Sequence, residues 1–523
     1  AGSKADGLHT AADDSEDFAP DFDWDAAVQR RPDGWSAVMR LPVASLRFDR
    51  RAVRADGSAR PWRFMLARRL PREQFHLLMS VPLPLGSPSF IDKLQPLTGV
   101  VLPENASFLT LRPSLTVRRA EARAADSMAS PARTRSTEAE ASLDVKWRPR
   151  AELVLDGTLN PDFSQVALDV PQLAGNTRFA LSLLEKRPFF YESADLWRSP
   201  TVALYTRSLT QPSGGLRGTW RAVDWAGTAL VVQDRGGGFV LLPDAYGTGV
   251  APQPGSRLVA ARARRDDGAL HWGGLVAARR YDGGRGENTV FGPELHWHIG
   301  EAWRLEAQWL HARTSALPDA LGELARGEQT QDGDRIYAQI VRQTDAAETR
   351  LTLDTSHRHF RHDTGFVNQA GVHSAKLWQA FHWQDVRPFN QFTLNFEALE
   401  TRARGSGELV RRYARPGLYS TGASNLEWWL EAYPHVESRS AAGGPLLVER
   451  YWLTGLVWTP ASRWTLLNTD LTWGRLADAA ATRVRRGVRW NASSKFRPLR
   501  ALELEPSLSL AWLEPDQGQG LTY

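Results

Sequence analysis

The chain contains no cysteine. That excludes disulfides, thiol nucleophiles, cysteine-ligated zinc and a lipidated N-terminal cysteine within this sequence. Long apolar runs are missing too. Although 42% of the residues are hydrophobic, no window approaches the roughly eighteen uncharged apolar residues that a spanning helix needs. A helical membrane protein is therefore excluded. The net charge is only +5 and the basic residues are overwhelmingly Arg, a small excess for a nucleic-acid binder, whose basic residues would also cluster in one patch. A glycine-rich phosphate loop, a serine nucleophile elbow and a Walker-type lysine are all lacking. No secretory leader is readable at Ala1, which fits either a leader already removed or a chain that starts inside a longer one.

What is abundant is tryptophan, with 21 residues. Its ring is favoured where one end is apolar and the other wet, as at membrane interfaces and sugar-binding faces. From about Ala106 the sequence alternates apolar and polar residues over short segments, the pattern of strands with two unlike faces. Trp303, Leu305, Ala307 and Trp309 share one face, and Arg304, Glu306 and Gln308 the other. Phe392, Leu394, Phe396 and Ala398 oppose Thr393, Asn395 and Glu397, while Val259, Ala261 and Ala263 oppose Arg262 and Arg264.

Connections come in two kinds. Tight turns are expected near Arg148-Pro149, Asp224-Trp225, Asp266-Gly268, Gly300-Glu301, Asp345-Ala347, Arg387-Asn390, Pro460-Arg463 and Arg497-Arg500, and long polar loops at 235–256, 315–333 and 404–420. Short turns on one side and long loops on the other are the mark of a transmembrane β-barrel. Trp147, Trp225, Trp303, Trp383, Trp458 and Trp464 stand beside the tight turns, as an interfacial girdle would. The competing architecture is a β-propeller, but hairpin spacing varies and no blade motif recurs.

One stretch fits neither strand nor helix. Asn160–Glu192 packs Asp162, Asp169, Glu185 and Glu192 with Arg178, Lys186 and Arg187 among Phe163, Phe179, Phe189 and Phe190. Strand parity starts it at the outer mouth of a barrel, and its aromatic density predicts that it folds back into the lumen. The same parity makes Leu502–Leu513 a rising strand, puts Tyr523 outside and calls for a further closing strand.

Family resemblances reinforce this reading. Trp24, Gly34-Trp35, Leu41-Pro42, Leu46-Arg47-Phe48, Pro61-Trp62 and Arg68-Arg69 resemble the C-terminal half of the carbohydrate-binding family 9 β-sandwich. NPDFSQVALDVPQL, NTRF and EKRPFFYE are similar, almost position for position, to the signature of an outer-membrane barrel family of unassigned function, domain of unknown function 5916. FRHDTGFV (360–367) looks like a further loop of that family. Ala167 stands where the family pattern usually has Glu, and the aromatic or Pro expected near Leu183-Leu184 is missing. The resemblance implies architecture and a Gram-negative outer-membrane location, and brings no reaction with it.

The expectation is thus an all-β protein: a partial sandwich over 1–105, then a transmembrane antiparallel barrel over 106–523 of about 16 to 20 strands, with an inward-folded segment at 160–200. Its partners would be outer-membrane lipid, a saccharide or anionic solute, or a protein of the outer membrane or periplasm, with no nucleic acid. No cofactor or catalysis is expected. Lumen or constriction candidates are Asp162, Asp169, Arg178, Glu185, Lys186, Arg187, Glu192, Arg262, Arg264, Arg483, Arg485 and Arg489. In each case the functional reading, a charged gate, competes with a paired network that merely fixes structure. A glycosidase pair of carboxylates and a membrane-anchored glycan-active enzyme are the rival chemistry. A barrel that holds a partner chain in a secretion or assembly complex is the third reading. Trp24, Trp35 and Trp62 are saccharide candidates, against the alternative that they are core. His357, His359 and His362, with His296 and His298, have metal-like spacing, but no third ligand follows at a recognisable distance.

Overall fold

The computed structural model describes residues 6–10, 15–17, 24–42, 62–71, 75–83, 91–98, 107–123, 133–150, 152–161, 185, 187–191, 194–222, 224–422, 425–460, 464–478, 482–499 and 501–515. Twenty strands form one antiparallel sheet that closes into a barrel. Strand follows strand in chain order from Phe108–Arg123 through Arg133–Arg150 and Leu153–Leu159 to Pro212–Arg221, and onward to Arg483–Leu499. Leu502–Leu504 and Ser507–Leu513 both lie along Arg483–Leu499, two parts of one interrupted strand. The all-β class with one large antiparallel sheet, read from the alternation, therefore holds. Strand order follows the count up to Leu502–Leu513, but among the described residues the sheet closes without the further strand that the count called for; Tyr523 lies outside those residues.

The connections at one end are tight, and glycines in the left-handed region make two of them, Gly268 (φ +66°) and Gly300 (φ +65°), because only glycine turns there without strain. At the other end the reading needs correction. Residues 315–333 are not a loop: the strands Trp303–Pro318 and Leu324–Gln343 carry the hairpin out to Asp319–Glu323. Likewise 409–420 belong to the strand Leu409–Gly422. These stretches carry charge and polar residues on both faces, so the period-2 signal fades although the backbone pairing continues. Only 235–256 is a genuine connection, and it holds a small hairpin, Phe239–Pro243 with Thr248–Pro252.

The outward faces are apolar. Leu109, Leu111, Leu351, Leu353, Leu394, Phe396 and Leu510 are exposed there, and Trp147, Trp272, Trp297, Trp303 and Trp383 ring the tight-turn end. Trp225 packs edge to face against Trp272 at 5.7 Å, and Trp458 is half-buried.

Simple alternation fails on one side of the interior. Leu258, Ala260, Leu275, Ala277, Val290, Leu310 and Ala312 point inward and are buried, so both faces are apolar there. They serve as the floor for inward-folded chain. Phe190, Trp197 and Leu209 pack on Leu230, Val232 and Leu258, and Ala203, Phe360 and Val367 pack on Leu275, Val290 and Leu310. Two stretches thus fill this half, the described residues of 185–211 and those between Ser356 and Val372; residues 162–184 of the segment expected to fold inward lie outside the described residues.

In the N-terminal part the described strands pair two by two: Asp25–Arg31 with Gly34–Arg40, Trp62–Phe64 with Gln95–Leu97, and Ala67–Pro71 with Phe75–Met79. Every residue of Asp25–Arg31 is exposed.

Candidate functional site in the barrel interior

The inward chain is irregular, and irregular buried backbone must find hydrogen-bond donors outside itself. Arginines supply them. Arg187 forks onto Glu185 (Nε–Oε1 2.9 Å, Nη2–Oε2 2.8 Å) and donates also to the carbonyls of Leu209 (2.5 Å) and Thr206 (2.6 Å). Its guanidinium lies 4.5 Å over the Phe190 ring. This closes the loop around the single helical turn Pro188–Tyr191. Burial pushes the Glu185 carboxyl up, but the bonds and charge of Arg187, with the Thr206 hydroxyl, outweigh it and hold the group below the usual range.

The wall repeats the device. Arg217 pairs with Asp156 at 2.8 Å and donates to the Phe189 carbonyl at 2.7 Å. Arg262 pairs with Glu294 at 2.5 Å and donates to the Leu196 carbonyl at 2.6 Å. Arg221 pairs with Asp195 at 2.6 Å. Arg279, fully buried, pairs with Asp234 at 3.1 Å and reaches the carbonyls of Ser208 and Asp363, so it ties both inward segments to the wall. Gln308 accepts from the Thr201 backbone and hydroxyl. In the second segment Arg361 forks onto Asp363 and donates to the Ala316 carbonyl, while Tyr281 donates to Asp363. The two segments also bond to each other, Tyr205 N–H to the Thr364 carbonyl at 2.7 Å.

The opposite half of the interior is less filled. Lys376, its side chain 43% exposed, pairs with Glu397 at 2.9 Å, and Arg415 lies between Glu397 and Glu431. Tyr433 stacks on Tyr451 with centroids 4.3 Å apart, and Tyr413 adjoins Tyr433 at 5.7 Å. Arg489 points into this space and is exposed. Charged and aromatic groups line the room that the folded-in chain leaves.

The sequence candidates divide accordingly. Arg262 faces inward but is committed to Glu294 and the chain it pins. Arg264 pairs with Asp266 at 3.0 Å near the tight-turn end. Arg485 pairs with Asp478 at 3.3 Å, and Arg483 is exposed at the loop end. Asp162, Asp169, Arg178, Lys186 and Glu192 lie outside the described residues. Trp35 is exposed with the Arg68 guanidinium 5.2 Å over its ring, and Trp62 is half-buried. His357 and His359 meet edge to face at 5.1 Å, and His296 lies 3.9 Å from Glu306. Among the described residues no three metal-ligating side chains converge. Asp156, Arg217, Asp234, Arg279 and Glu294 escaped sequence reading, since each gains meaning only from a partner far along the chain.

His362 sits fully buried in the second segment, and its Nε2 has no hydrogen-bond partner among the described residues. Burial lowers its pKa to about 4, the Arg335 charge adding to the effect and Asp363 opposing it. A histidine that is more basic unfolded than folded loses stability as pH falls. The loss begins near the unfolded value of about 6.5 and is complete below about 4, amounting to roughly 3 kcal/mol. Acidification through that window is expected to release residues 357–371 first, read as new proteolytic cuts there. His362→Gln should flatten the pH dependence.

A family model described as Domain of unknown function (DUF5916) matches residues 122–215. No curated protein matches the chain. The matched span covers the second and third strands of the barrel and the connection to the start of the fourth, whose described part carries Arg187, Phe189, Phe190 and Trp197.

Proposed function

We propose that this protein is a Gram-negative outer-membrane β-barrel that passes or captures a solute or polymer, without catalysis, through a lumen partly occluded by its own chain. The observation that carries the reading is the contrast between the two halves of the interior. One is filled by chain pinned to buried arginines, and the other keeps half-exposed Lys376, Tyr433 and Arg489. The outward apolar band with its tryptophan ring supports a lipid-facing exterior. The inward arginines favour an anionic solute, and the exposed Trp35 is suited to a saccharide ring beside the barrel.

Purified protein in planar bilayers tests this. Wild type should insert and give small, discrete conductance steps that shrink when a permeant anion is replaced by a bulky one. Insertion without any conductance, even after the pinning arginines are removed, would contradict passage. Failure to insert would contradict the location.

A further inference from the structure

The proposal so far concerns the interior, but the outer wall carries a charge pattern of its own. Arg450, Arg475 and Arg486 stand directly opposite one another on three neighbouring strands, in the registers Arg450↔Arg475 and Arg475↔Arg486. Each is the fourth residue in from the loop end of its strand. All three are exposed. They face outward, because their strand neighbours Tyr451, Gly474 and Gly487 face in while Trp452, Trp473 and Val488, exposed on the outer wall, share their side. Like charges placed opposite in a sheet repel.

At two other places at this end a carboxylate on the wall neutralises such a charge, although Arg257 and Arg280 also face each other without an ion pair among the described residues. Arg412, also fourth from its loop end, pairs with Glu437 at 2.6 Å, and Arg402 pairs with Glu400 at 2.6 Å. Arg450, Arg475 and Arg486 have no carboxylate partner among the described residues. Beside them opens an apolar groove of about 770 Å³, lined by Ala432, Pro434, Trp452, Trp473, Val488 and Trp512. Three cations that make no ion pair among the described residues, with Glu514 opposite Arg486 as the nearest carboxylate in the register, border an apolar trough and have the form of a receptor for an anionic amphiphile. Guanidinium forks match phosphate oxygens, and the trough matches acyl chain.

We propose that this face binds the phosphoryl head of an anionic lipid at the loop end of the barrel, with part of an acyl chain along Trp452, Trp473 and Trp512. The inference rests on the membrane reading above. The lipid phosphate supplies the counter-charge that the protein omits, and so fixes how deep the barrel sits.

The test titrates lipid A into the full-length barrel in mild detergent and counts bound molecules by native mass spectrometry. Arg450→Gln/Arg475→Gln/Arg486→Gln should weaken binding at least about tenfold, while the control Arg402→Gln/Arg412→Gln leaves it unchanged. Heat-modifiable migration confirms that each variant is folded. Should the triple variant misfold, Arg475→Gln alone should still weaken binding several-fold. Equal binding by wild type and triple variant overturns the inference, as does full displacement by inorganic phosphate, which would make the triad a free-anion site. Insertion into phosphatidylcholine vesicles is scored separately. Wild type that fails to insert sinks the membrane reading, whereas normal insertion with unchanged lipid A binding sinks only this proposal.

Discussion

Replacing Arg279 with Ala is expected to cost about 3–5 kcal/mol, because Asp234 would be left charged and buried without its cation. Four further bonds go with it, to the hydroxyls of Ser256 and Ser208 and to the carbonyls of Ser208 and Asp363. The damage should fall on the inward chain more than on the wall, whose strands keep their own ladders. Limited proteolysis should open new sites within 194–211 and 357–371, and bilayer conductance should rise several-fold. Arg279→Lys should rescue only part, since an ammonium lacks the fork that reaches wall carboxylate and loop carbonyl together. Unchanged protection of both segments in the Ala variant would show that arginine pinning is not what holds them.

The second large effect belongs to the outer face. Leu351 and Thr352 are neighbours in one strand, Leu351 exposed outward and Thr352 facing in beside Gln339. In a bilayer, Leu351→Arg is expected to cost about 2–4 kcal/mol if the position lies near the midplane. Thr352→Arg should cost far less, since the interior already holds Arg335 and Asp354 nearby. Folding titrations in lipid vesicles measure both, and comparable penalties at the two positions would contradict the assignment of faces.

How far the sequence disclosed this arrangement depends on the distance over which each signal acts. Alternation is local, so Trp303 and Leu394 were legible as one face and Thr393 and Glu397 as the other. The aromatic and charged density around Arg187 announced chain folding inward, because no exposed loop needs Phe189 and Phe190 together. The pins were illegible for a reason of geometry. Arg217 meets Asp156 across 61 residues and Arg279 meets the Asp363 carbonyl across 84, separations at which sequence carries no spacing rule. The second inward segment was visible only as the fragment FRHDTGFV, whose Arg361 and Asp363 pair with each other before either reaches the wall. Residues 324–333 and 409–420 misled because a strand with polar residues on both faces looks like a loop until its hydrogen-bond partner is known. The arginine triad was hidden in the same way, its members 25 and 11 residues apart in the chain and side by side in the sheet.

All of this depends on the proposal that the outer face of the sheet meets lipid. Single cysteines at positions 393 and 394, feasible because the chain has none of its own, carry a spin label for accessibility measurements in reconstituted vesicles. A label at position 394 should be relaxed strongly by lipid-dissolved oxygen and weakly by a water-soluble nickel chelate, and one at 393 should show the reverse. Preference for the aqueous relaxant at 394, or for oxygen at 393, would contradict the account.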